Sequence, residues 1–121
     1  MAFEVNLQTI SVPASADLST KQFLFGTINA SGQVAVTGAG LASDGVIALG
    51  PSAQGRPCGL ASFPGQIARV MAGASFANGA LLEVDSNGKA VTQSSGKIVA
   101  KALAAAGAAG DIVPALLILM R

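Results

Sequence analysis

One pattern in this chain occurs twice, and it restricts the fold more than any other feature. A run rich in aromatic and β-branched residues, Gln22-Phe23-Leu24-Phe25-Gly26-Thr27-Ile28, meets the turn Asn29-Ala30-Ser31-Gly32 and returns as Gln33-Val34-Ala35-Val36-Thr37. Gly38-Ala39-Gly40 breaks it, and Gly45-Val46-Ile47-Ala48-Leu49 and a small-residue loop through Gly55 follow. The same order then recurs: Ala80 to Asp85, the turn Ser86-Asn87-Gly88, Lys89 to Thr92, a break at Ser94-Ser95-Gly96, Ile98 to Leu103, and a loop through Gly110. Gly32 and Gly88, Leu49 and Leu103, and Gly55 and Gly110 each lie about 55 residues apart. Apolar runs bounded by Gly-containing turns are strand and hairpin signals, Asn-Gly the strongest of them. The repeat therefore reads as a duplicated hairpin unit, approximately 22–57 and 79–112, with too few copies for a solenoid.

The remaining segments fit the same class. Cys58 to Phe63 and Gln66 to Met71 read as strands around a Pro64-Gly65 turn. Ile112-Val113 and Ala115 to Met120 form a short apolar run suited to a strand covered on both faces, with Pro114 expected at a strand start, edge or bulge. Ala100 to Ala109 contains seven alanines, a helical preference. The repeat assigns Ile98 to Leu103 to a strand and leaves room for one helical turn at Ala104 to Ala106. At the N-terminus, Phe3, Val5 and Leu7 alternate with Glu4, Asn6 and Gln8, then the phase flips so that Ile10 and Val12 are the next apolar residues. A half-buried strand with a bend near Gln8-Thr9 accounts for that. The expected fold is all-β: a small β-barrel or two-lobed β-sandwich with an N-terminal arm (1–16), a single β-rich domain (17–121) and at most one short helical turn.

Composition then limits the chemistry. Seven Lys or Arg and six Asp or Glu make 11% of the chain, against 51% apolar residues. An ordinary soluble domain is about one quarter charged, and a small domain buries a limited share of its surface. Part of the apolar surface is thus expected to meet another protein. His, Tyr and Trp are absent, which removes the commonest general base and metal ligand. The cations Lys21, Arg56, Arg69, Lys89, Lys97, Lys101 and Arg121 are scattered, so no direct nucleic-acid partner is expected. Ala102 to Met120 is apolar but interrupted by Asp111 and Pro114, which argues for buried sheet over membrane. The single Cys58 allows no internal disulfide and reads as a small buried apolar residue.

The polar constellations have plainer explanations than catalysis. Asp85-x-Asn87-x-Lys89 begins like a calcium loop, but Lys89, Ala90 and Gly96 stand at positions five, six and twelve, where the loop needs an oxygen ligand, a glycine and a glutamate. Gly38-Ala39-Gly40 lacks the third glycine of a dinucleotide loop, where Ser43 stands. Ser94, Ser95 and Lys97 sit in a polar turn, without the burial that would make a lysine a base. Glu83 and Asp85 share a strand face, expected to be solvated, with Leu82 and Val84 inward. No enzyme activity, cofactor or metal is expected. The arm is the segment best suited to function: Phe3, Val5, Leu7, Ile10 and Val12 are the expected partner contacts, with the arm's backbone adding a strand to a partner's sheet edge.

Several segments in order carry a resemblance. They are Asp17 to Phe23, Ala30 to Val34, the Gly45-Val46 strand, Ile67 to Gly73, Asp85 to Ala90 and Ala108 to Val113. The set, spanning nearly the whole chain after about residue 14, resembles the capsid cement, or head decoration, proteins of tailed bacteriophages. Cys58 to Phe63 departs from that pattern, being more uniformly apolar. The resemblance implies a structural virion protein, made in the host cytoplasm. It would bind the major capsid protein on the outside of an icosahedral shell as a homotrimer and stabilise the shell by bridging subunits. Another virion part, such as a head fibre base or tail protein, or a host-surface or glycan-binding module, is the alternative.

Overall fold

The structure, a computed structural model, describes residues 8–121. Ten strands follow one another: β1 (Thr9–Pro13), β2 (Phe25–Ile28), β3 (Val34–Val36), β4 (Gly45–Leu49), β5 (Pro57–Ala61), β6 (Ile67–Met71), β7 (Leu81–Val84), β8 (Ala90–Thr92), β9 (Ala100–Ala102) and β10 (Ile112–Leu117). They make two five-stranded antiparallel sheets, ordered β1-β5-β4-β2-β3 and β6-β10-β9-β7-β8. The second order is the first shifted by one whole unit of five strands. Each sheet is also joined across its two edge strands by a single parallel bridge, Ala14 to Val34 in the first and Ala72 to Ala90 in the second. Each sheet thereby curls back on itself as a small closed lobe. The all-β expectation is met, in its two-lobed form.

The duplication reaches further than the sequence pattern. It takes in β1 and β6, so the units run β1–β5 and β6–β10. The hydrogen bonds at the two closures match group for group. Ala14 N donates to Arg56 O at 2.9 Å and Ala14 O accepts from Gly55 N at 2.8 Å; Ala72 N donates to Asp111 O and Ala72 O accepts from Gly110 N, both at 2.8 Å. Ser15 N then donates to Val34 O, as Gly73 N does to Ala90 O. The hairpin turns match as well. Asn29 Oδ1 accepts from the amides of Ser31 and Gln33, both at 3.0 Å, and Asp85 Oδ1 accepts from those of Asn87 and Lys89 at 2.8 and 2.9 Å. Asp85, Asn87 and Lys89 are therefore turn residues, as local side-chain capping of the backbone predicts.

Alternation sorts the side chains of the first sheet onto two faces. Val34, Ile47, Cys58 and Leu60 fill the inside of lobe 1 with Ala14 and Leu18, and Ile10, Val12, Ile28 and Val36 pack against them. Cys58 is a free, buried thiol. On the opposite face Phe25, Val46 and Ala61 join the core of lobe 2, beside Val70, Leu82, Val84, Val99, Val113 and Leu117. Backbone hydrogen bonds stitch the same seam: Phe25 N to Gly88 O at 2.9 Å, Met71 N to Phe23 O at 3.1 Å, Gly40 N to Val84 O at 2.8 Å and Lys97 N to Gly40 O at 3.0 Å. In β4 the register slips between Ile47 and Leu49, and this bulge leaves Leu49 exposed.

Four local expectations are corrected. The strand expected from Gln22 begins only at Phe25, because Phe23 adopts φ 71°, a left-handed conformation unusual for a bulky residue. Ala104 to Ala106 forms no helical turn; Ala106 and Phe76 exchange two backbone hydrogen bonds instead, so tertiary pairing overrides alanine's propensity. Pro114 lies within β10, opposite Arg69 of β6. Its carbonyl accepts from Leu103 N, so its missing N–H faces the same neighbour one residue beyond the pairing of Ala115 with Ala102, and the pair keeps one bond in place of two. Finally, Glu83 is 9% exposed, not solvated. Its Oε1 accepts from Ser94 Oγ at 2.9 Å and Ser94 N at 3.0 Å, within the seam where Gly40 and Gly96 approach it without side chains. The Ser94 hydroxyl, then its amide, hold the Glu83 carboxyl below the usual range, against a smaller opposing effect of burial.

Two outcomes test this account. Gly32 (φ 74°) has open space around a would-be Cβ, whereas one at Gly88 (φ 80°) would lie 2.4 Å from Val36 Cγ1. Gly32→Ala should cost about 1 kcal/mol from backbone strain, and Gly88→Ala about 3 kcal/mol, because overpacking is added; denaturant titration reads both. For Glu83, a folded-state value below the unfolded one favours the ionised form. Its contribution is present above the unfolded value, about 4.3, and is lost as pH falls through the folded one. The advantage of the native chain over Glu83→Gln in thermal unfolding should therefore shrink as pH drops below about 4.

Candidate functional site

Of the expected contact residues, Phe3, Val5 and Leu7 lie outside the described residues. Ile10 and Val12 sit in β1, which pairs with β5 from Thr9–Ala61 to Pro13–Pro57. In this chain both side chains are half-buried against lobe 1's own interior. Deleting residues 2 to 12 would therefore remove a strand and uncover Cys58 and Leu60. The other side of β1 has no strand partner along Thr9–Pro13 among the described residues; its contact with β3 starts only at Ala14. Here the chain offers a backbone edge, the feature that strand addition uses.

Gln8, the first described residue, is held by Gln66. Its amide donates to Gln66 Oε1 at 3.0 Å and its carbonyl accepts from Gln66 Nε2 at 3.3 Å. Thr9 stands opposite Ala61. Ala61 also lines a cavity of about 150 Å³ between the lobes, with Gln22, Phe23, Val46, Ala48, Ala68 and Arg69. This small apolar recess at the seam could take one side chain, not a cofactor. The reversed backbone at Phe23, with Gln22 Nε2 donating to Ala48 O at 3.0 Å, shapes one wall. Nothing in the sequence marked Phe23 for that conformation, since no glycine or asparagine stands there.

The titratable groups are arranged for structure. Asp17 is held low by the Ser19 hydroxyl and then by the Ser19 amide. Burial pushes the Cys58 thiol up, away from the thiolate that reactivity needs. Ser94 donates to Glu83, so it is part of a carboxylate cap. Asp44 takes Ile28 N at 2.8 Å and pairs with Arg121, tying the C-terminal residue to lobe 1. Among the described residues, no group of three or more Cys, Asp or Glu could hold a metal ion. Of the four described phenylalanines only Phe63 is exposed, at 43%, which leaves little aromatic platform for a sugar.

What the surface does offer is apolar. Leu41, Leu49, Leu81, Ile112 and Met120 are exposed between 41% and 68%. Polarity alone could not pick out Leu41 or Leu81 in the sequence.

No family model matches the chain, and no curated protein matches it. A solved structure does share its fold: the head fiber gp8.5 N base of bacteriophage phi29, with a TM-score of 0.68. The superposition covers 93% of this chain and 94% of that one at 16% sequence identity. The two-lobed architecture is thus shared along essentially the whole length of both chains.

Proposed function

We propose that this chain is a structural component of a tailed-phage virion, a base module seated on the head by protein–protein contacts. The observation that supports it most is the fold shared from end to end with a phage head fiber base. The ordered set of segments from Asp17 to Val113 that resembles head decoration proteins points the same way. The physical properties suit the role. The lobes are compact and closed, the described residues are poor in chemistry, and several large apolar side chains remain exposed for contact.

The shell contact is assigned to the N-terminal residues Phe3, Val5 and Leu7 and to the open side of β1. The partner is the major capsid protein. Strand addition there supplies backbone hydrogen bonds, and alternate side chains supply pocket contacts. Many attached copies make a modest single contact effective. A cement role, in which the module also strengthens the shell by bridging subunits, is the second reading, favoured by the segment resemblance alone.

Removing residues 2–7, and no more, keeps β1 in place. The truncated protein should unfold within a few degrees of the full chain, yet lose co-sedimentation with empty heads. Full retention on heads would overturn the contact assignment, and labelling of tails but not heads would overturn the head location. Heads stripped of the protein should keep their heat resistance if it is a base module and lose it if it is a cement.

A further inference from the structure

β6 is an edge strand of the second sheet, and its outer side is only partly used. Leu117 N donates to Gln66 O and Ala72 N to Asp111 O, so Gln66, Ala68, Val70 and Ala72 turn their backbone groups toward β10. The N–H and C=O groups of Ile67, Arg69 and Met71 point the other way. Met71 N reaches Phe23 O at 3.1 Å. Among the described residues, the amides and carbonyls of Ile67 and Arg69 have no hydrogen-bond partner. Beside this free edge lies the recess of about 150 Å³, where Ala48, Ala61 and Ala68 leave room. Edge and recess together form a slot, with a backbone ladder on one side and space for one aliphatic side chain on the other.

Both ends of the slot are built. Phe23 stands two residues before Phe25 as Gly79 stands two before Leu81, and both take the left-handed region, at φ 71° and 84°. Glycine adopts that conformation without strain and phenylalanine does not. Lobe 1 keeps the strain where Phe23 lines the slot and its carbonyl closes one end at Met71. At the other end stands Gln66, whose side-chain amide meets both backbone groups of Gln8. β5 ends opposite Thr9, at Ala61, so it offers no further ladder to the chain before Gln8.

We propose that residues Met1 to Leu7 of the same chain occupy this slot, adding a strand along Ile67 and Arg69 and setting Val5 or Leu7 into the recess. Seven residues reach about 23 Å when extended, against roughly 7 Å from Ile67 to Arg69. Phe3, Val5 and Leu7 alternate, as a strand with one covered face requires, and Glu4 brings a carboxylate to a rim that carries Arg69. The tether through Gln8 gives the segment an effective concentration of about millimolar at the slot, which a separate chain in dilute solution does not match. The inference goes beyond the virion reading, since it concerns the free protein. On that reading, the residues assigned to the shell lie along their own body until a shell edge takes them. Its failure would leave the head-binding test standing.

Amide hydrogen exchange of the full chain, read by NMR, tests this. The Ile67 and Arg69 amides of the native protein should exchange about tenfold more slowly than those of the double variant Glu4→Pro, Val5→Pro, which loses one inward donor whichever register the segment takes. Both changes lie outside the described residues, so exchange at Val70 and Ala115, inside the β6–β10 ladder, should stay as in the native chain. Arg69→Pro is the second variant. It removes the slot's own donor and spares the ladder to β10, as Pro13 does on the outward side of β1. The Ile67 amide should lose its protection there too. Equal exchange at Ile67 and Arg69 in the native and double-variant chains, whether fast or slow, or an Ile67 amide still protected in Arg69→Pro, would overturn the proposal. Protection that rises with protein concentration would put a second copy's segment in the slot and overturn it as well.

Discussion

The covering of one apolar row by a second copy of the same fold is what the rest of this structure depends on. A five-stranded lobe of roughly fifty residues has too little interior to be secure alone, since small domains bury a small fraction of their surface. Lobe 1 fills its inside with Val34, Ile47, Cys58 and Leu60 and still carries Phe25, Val46 and Ala61 on the other face. Those three side chains become core only because lobe 2 lies on them. At about 25 cal/mol per Å² of apolar area removed from water, burying one Phe and one Val counts in kilocalories per mole, comparable with a sizeable part of a domain's net stability. The glycines at the seam follow from the same need, for Gly40 and Gly96 let two backbones approach around the Glu83 carboxylate.

Much of this was legible in the residues, and the parts that were not have physical causes. The hairpins showed because turn chemistry is local: Asn29 and Asp85 cap their own backbones, and Gly32 and Gly88 take the positive φ that the turns require. β4 was readable to the residue as Gly45–Leu49. The first strand of each unit was harder to match. Thr9–Pro13 and Ile67–Met71 share one residue type at equivalent places, Val12 and Val70, and their closure bonds reveal the kinship. Glu83 could not be recognised as covered, because alternation assigns a face and cannot say what lies across it. Phe23 and Ala104 to Ala106 were misread for a related reason: long-range hydrogen bonds to Ile47, Met71 and Phe76 decide their backbone.

The site followed the same division. Strand polarity and terminal position pointed to Phe3, Val5, Leu7, Ile10 and Val12, and the structure packs Ile10 and Val12 against the interior of lobe 1. The exposed Leu41 and Leu81 carried no local signal.

The short connection between the lobes has a mechanical meaning. Only Ser62 to Gln66 separate β5 from β6, and Gln66 clasps Gln8 while Arg121, at the far end of the chain, grips Asp44. Tension applied at the tail of the molecule would reach the first lobe by two routes in parallel, the peptide chain and the stitched seam. A part built this way transmits strain as a rigid link, with no hinge at its middle to absorb it.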